Sequence, residues 1–155
     1  VVAYEMNSPD RHERELMAEL AGYARELAGT FAVVEESALS GDRLPSISVR
    51  PNRLDAVAIS IVAEQWLVFA AGTIGGRWEL DYNRASDMQL ARDLISSAIA
   101  GRVTERFGAF RSLVTITLAN GSRTTAVGYE GCVTVFLPQP GWQRWGRYRQ
   151  YAPYR

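Results

Sequence analysis

The sequence predicts an α+β fold: a mainly antiparallel, twisted sheet with two principal helices packed on it. Three observations carry that reading. Asp55 to Tyr82 is the longest apolar segment, and Val57, Ile59 and Ile61 alternate there with Ala58, Ser60 and Val62, as do Trp78, Leu80 and Tyr82 with Glu79 and Asp81. Two other segments repeat apolar residues at helical spacing. Asn120-Gly121 stands between two alternating runs and is the strongest hairpin signal in the chain. At 155 residues the chain fits one domain over 1–155, a size that buries roughly 70% of its unfolded surface and needs no staples.

Val1 to Met6 reads as a short strand. Ser8 can cap the helix that follows, and Pro9 suits its first position. That helix runs from Pro9 to about Ala28, with Leu16, Met17, Leu20, Ala24 and Leu27 on one face and Gly29 as its stop. Thr30 to Glu35 is a strand, Ser37 to Pro45 a polar loop, and Ser46 to Arg50 a second strand. With the three segments between Asp55 and Tyr82 the count reaches five, and connections this short favour sequential antiparallel pairing. Trp66 and Trp78 are expected under the second helix, and Gly72 to Gly76 is expected to be a turn, since it lacks a phosphate-loop pattern and a following helix. The second helix is expected from Ser86 to Phe107, opened by a Ser86–Gln89 capping box and closed by Gly108. Phe110 to Leu118 pairs with Arg123 to Tyr129, and Cys132 to Leu137 adds one more strand. Residues 138–155 are rich in aromatics and arginine, have no clean period, and pack on or extend from the rest.

Charge narrows the choice of partners. Seventeen basic residues, all arginine, balance seventeen acids, so no global field draws the chain to nucleic acid or to an anionic membrane. No run approaches the roughly 20 apolar residues of a membrane span, and the expected setting is soluble and cytoplasmic. The distribution is uneven, however. Glu5 to Glu36 holds eight acids against three arginines, a balance of −5, while Pro138 to Arg155 holds four arginines and no acid. Cys132 is the sole cysteine and reads as a small buried hydrophobe.

Few residues suggest catalysis. His12 is the only histidine and lies in a helix opening with no serine or cysteine recruited to it. One histidine and one cysteine leave no metal-ligand set beyond carboxylates, and no spacing brings Glu35, Glu36, Glu64, Glu79 and Asp81 into a catalytic pair. The expectation is therefore a protein that is not an enzyme, without cofactor or metal. Trp142, Trp145, Tyr148, Tyr151 and Tyr154 interleave with Arg144, Arg147, Arg149 and Arg155, the residue types that dominate protein interface hot spots.

The acidic first helix, GGRWELDY at Gly75 to Tyr82, GRVTERFG at Gly101 to Gly108, and LPQPGWQRWGRYRQYAPYR at the end together resemble small actinobacterial immunity proteins. In particular they resemble the mycobacterial immunity factors that neutralise a secreted NAD-hydrolysing necrotizing toxin. The likeness covers most of the chain and implies a cytosolic, non-enzymatic antitoxin that binds a cognate toxin domain and blocks its NAD site. It carries no functional residue over. Two surfaces are the candidates for toxin contact: the acids Glu35, Glu36 and Asp42, suited to a pocket built for pyrophosphate, and the tail residues Trp142, Arg144, Trp145, Arg147 and Tyr148. The alternative is a small-molecule or peptide-binding module, possibly homodimeric, with a cleft between the second helix and the sheet.

Overall fold

A computed structural model describes residues 11–37, 44–131, 135–136 and 138–155. Two antiparallel sheets, of five and four strands, share the chain with two main helices and a short third one, an α+β fold. Helix α1 spans Arg11–Ala28, and a 3-10 turn, Gly29–Phe31, leads into β1 (Ala32–Ser37). Then come β2 (Ser46–Pro51), β3 (Ile59–Ala63), β4 (Leu67–Ala71) and β5 (Gly76–Leu80), the five-stranded meander that the alternation predicts.

The register explains why the meander is a core. Ile47, Ile61, Phe69 and Trp78 form one row across β2 to β5, and Val49, Ile59, Ala71 and Gly76 form the next. Both rows are buried on the same face. Phe69 meets Trp78 edge to face with ring centroids 5.7 Å apart, a geometry worth about 0.5–1.5 kcal/mol beyond burial. Leu16, Met17, Leu20, Ala21 and Ala24 of α1 belong to this core, as do Met88, Ala91, Leu94, Ile95 and Ala98 of α2 (Ala85–Ile99). Trp66, expected beneath the second helix, instead lies half exposed in the β3–β4 turn. The Ser8–Pro9 cap, the Val1–Met6 strand and most of the Ser37–Pro45 loop lie outside the described residues.

Helix α2 is shorter than its pattern suggests. It ends at Ile99, and Val103–Gly108 is a strand, β6, rather than the last turns of the helix. Gly101 makes the stop: at φ +73° its N–H bonds to the Ala98 carbonyl, and the Arg102 N–H bonds to Ser97, the double closure of a Schellman motif. A Cβ on Gly101 would sit 2.4 Å from the Pro153 nitrogen, so the C-terminal segment crosses where only glycine fits. The Ser86–Gln89 capping box does not form. The N-cap is Arg84, without a side-chain cap bond; Asp87 Oδ2 in the first turn instead accepts from the Asp81 N–H of the preceding loop at 2.9 Å, while Gln89 reaches forward to Asp93.

The second sheet runs β8-β7-β6-β9, with β7 at Arg111–Thr117, β8 at Arg123–Tyr129 and β9 at Arg147–Gln150. The expected Asn120-Gly121 hairpin joins β7 to β8, with Gly121 at φ +84° and the Asn120 side chain accepting from Ser122. The two sheets meet where β8 crosses β5. Trp78 Nε1 donates to Thr124 Oγ1 at 2.9 Å, and a Cβ on Gly128 would lie 1.4 Å from the Gly75 carbonyl oxygen. Backbone thus touches backbone across the junction without a ladder, which is why one expected sheet is two. The Cys132–Leu137 strand falls largely outside the described residues; Val135 and Phe136 lie in a 3-10 turn.

Candidate functional site

The tail divides into a buried half and a displayed half. Tyr151 and Tyr154 are core residues: the Tyr154 hydroxyl donates to the Val57 carbonyl at 2.7 Å, and the Tyr154 and Tyr151 N–H groups bond to Ile99 and Val103. Ala152 bridges to Ala56, and Arg155 lies over the Phe31 ring. These contacts tie the end of the chain to β6, to the end of α2, to the 3-10 turn and to the connection between β2 and β3. Two of the five tail aromatics are therefore committed to the fold.

Of the other three, Trp145 and Tyr148 are exposed and Trp142 is half-buried. Gly141, at φ +80°, opens the four-residue helix α3 (Trp142–Trp145), and Gly146 leads directly into β9 along β6. Arg106 on β6 donates through Nη1 to the Arg144 and Gly146 carbonyls, both at 3.0 Å, and so satisfies the helix end. Its guanidinium lies 5.2 Å from the Tyr148 ring centroid, and Arg147 lies 4.9 Å from that of Phe107. Arg111, largely buried, sits between Tyr129 at 5.7 Å and Trp142 at 6.0 Å. Cation–π pairs of this kind fix the aromatics at modest cost. Outside the packed layer, Trp145 is 86% exposed and Tyr148 53%, with Arg144 and Arg147 also exposed. Trp142, Arg144, Trp145, Arg147 and Tyr148 are thus brought together at one end of the four-stranded sheet.

The acidic candidates are placed elsewhere and are already paired. Glu35, on the outer side of β1, forms an ion pair with Arg50; Glu36, on the helix side, forms one with Arg25 of α1. Asp42 lies outside the described residues. Glu36 also lines a cavity of about 250 Å³ with Arg14, Met17, Ser37, Pro45, Ser46 and Ile47. On the second helix, where the alternative reading expects a cleft against the sheet, Met88, Leu94 and Ile95 belong to the buried core. His12 is exposed on α1, and no group of metal-ligating side chains occurs among the described residues.

The most strongly built polar centre is one the sequence gives no hint of. Glu105 on β6 is fully buried, and its carboxylate accepts from the N–H groups of Thr73 at 2.7 Å, Ile74 at 3.2 Å and Gly75 at 3.1 Å. Tyr151 also donates to it, and the Thr73 hydroxyl bonds to Tyr151 at 2.8 Å. The Gly72 to Gly76 loop is therefore more than a turn: its successive N–H groups form an anion nest, filled by the protein's own carboxylate. Burial alone would raise the Glu105 pKa, but the Ser112 and Tyr151 hydroxyls and the Thr73 and Gly75 N–H groups outweigh it, and the net shift is downward. Ser112 favours the anion although its buried Oγ makes no hydrogen bond of good geometry. Burial, then the bond to Glu105, pushes Tyr151 up to about 12. Because the bonds run from the loop between β4 and β5 to Glu105 on β6, this centre latches one sheet to the other.

No protein-family model, curated protein or solved structure matches this chain. The site therefore rests on geometry alone, and the described surface offers two kinds of ground. One is the cavity beside the paired acid Glu36; the other is the displayed Trp–Arg end, whose arginines have no carboxylate partner among the described residues. Glu105 escaped sequence reasoning because an acid at an inward strand position hides the alternation of Val103, Glu105 and Phe107.

Proposed function

We propose that this chain is a non-enzymatic binding protein of the immunity type, which captures a toxin domain, an NAD glycohydrolase by the resemblance, and blocks its active site. The observation that supports this reading is the end formed by Trp142, Arg144, Trp145, Arg147 and Tyr148, where the exposed Trp145 and Tyr148 stand beside two arginines, Arg144 and Arg147, that have no carboxylate partner among the described residues. Aromatic and arginine side chains of this kind supply most of the energy in protein interfaces. Because Glu35 and Glu36 each hold an arginine already, the tail is the stronger of the two candidate surfaces. Its positive charge calls for acidic ground on the toxin beside the NAD pocket, so that inhibition follows from covering the entrance. Mixing the purified chain with an NAD-hydrolysing toxin domain tests this: a stable complex that stops NAD consumption is expected, and full NAD consumption at excess chain contradicts it.

A second reading has its own observation. The cavity of about 250 Å³ beside Arg14 and Glu36 is large enough for a small polar ligand. A compound carried through native purification and detected by mass spectrometry would support a small-molecule-binding module, and loss of that compound in Glu36→Ala would place it there.

A further inference from the structure

The turn between β6 and β7 carries a residue that its backbone disfavours. Gly108 pairs with Arg111, so Ala109 and Phe110 form a two-residue loop, and Phe110 is the only non-glycine residue at positive φ (+56°) among the described residues. That position of a turn favours Gly or Asn, and a bulky side chain rarely adopts it. Phe110 gains no burial in return, being 56% exposed. Neighbouring groups hold the loop in place. The Gln139 side chain accepts from the Ala109 N–H at 2.9 Å and donates to its carbonyl at 3.4 Å, and the Glu130 N–H donates to the Phe110 carbonyl at 2.8 Å. A strained, clamped and outward-facing aromatic is a pattern found at binding sites, where the strain is tolerated for what the side chain does.

Phe110 continues the displayed end described above. Gly108 lies against the Trp142 ring, and Arg111, next in sequence, touches both Trp142 and Tyr129. We propose that Phe110 is the anchor of the protein-binding surface, inserting into an apolar pocket of a folded partner whose rim is acidic and meets Arg144 and Arg147. This rests on the binding reading above and names its central contact. The acidic rim follows from charge: Arg144 and Arg147 are exposed and have no carboxylate partner among the described residues.

Phe110→Asn tests the anchor, because it removes the ring and suits the backbone. Three measurements suffice: the thermal midpoint, calorimetric affinity for a purified NAD-hydrolysing toxin domain, and sedimentation velocity of the chain alone. A midpoint equal to or above wild type is expected, with affinity for the toxin weakened about tenfold or more. Unchanged affinity in Phe110→Asn together with weakened affinity in Trp145→Ala would overturn the anchor and leave the binding reading standing. No complex between wild type and the toxin domain removes both. A clear fall in midpoint would contradict the claim that the ring is displayed rather than structural. Self-association that Phe110→Asn abolishes, or binding of a fluorescent single-stranded oligonucleotide that it abolishes, would reassign the surface and overturn the proposal.

Discussion

Glu105 shows how a single buried charge can organise a fold. Five groups favour its anion, and the loop that provides three of the bonds belongs to the other sheet. Replacing it by Gln leaves the nest facing a neutral amide, and we expect a loss of about 2–4 kcal/mol in urea unfolding. The pH dependence has a definite sign. The folded carboxyl lies below its ordinary value of 4.5, so the stabilisation is complete above that pH and is lost as pH falls through the lower folded value. The gap in urea midpoint between wild type and Glu105→Gln should therefore be wide at pH 7 and narrow in acid. A gap that stays constant would show that the charge contributes nothing.

At the scale of elements, local chemistry was legible wherever one signal acted alone. The meander, the Asn120-Gly121 hairpin and the first helix follow from alternation, turn residues and helical spacing. The end of α2 did not, because Val103 fits both the helical stripe and the strand, and the buried acid two residues on breaks the apolar alternation of β6. What separates the two is Gly101, whose φ and whose contact with Pro153 only the assembled fold reveals. Gly101→Ala should cost about 2 kcal/mol or more, since it combines a left-handed conformation with a steric clash. Urea denaturation checks this, and a change within 0.5 kcal/mol would mean the crossing is looser than described.

The whole molecule is held together by contacts far apart in sequence, and these were the least legible. The junction of β5 with β8 has no ladder, and the C-terminal clamp reaches Val57, Ile99 and Phe31 from the last five residues. Tyr151 and Tyr154 looked like two more interface aromatics because composition cannot separate a ring that fills a core from one beside it that is displayed. Removing residues 151–155 should abolish cooperative unfolding, whereas Trp145→Ala should leave stability within about 0.5 kcal/mol. Circular dichroism during heating distinguishes the two. A truncation that still melts cooperatively at the wild-type temperature would remove the clamp from the account. Deleting the whole tail is consequently a poor test of binding, and point substitutions are required.

The candidate surface was half legible: the tail was singled out by its residue types, while Phe110 was not, since its significance lies in a backbone angle. The most direct measurement of the central claim is the affinity of two charge-reversal variants for a purified NAD-hydrolysing toxin domain, each compared with wild type by calorimetry. Arg144→Glu with Arg147→Glu should weaken binding by about tenfold or more, and Glu35→Arg with Glu36→Arg should change it by less than about threefold. The reverse ranking would contradict the assignment of binding to the tryptophan and arginine end.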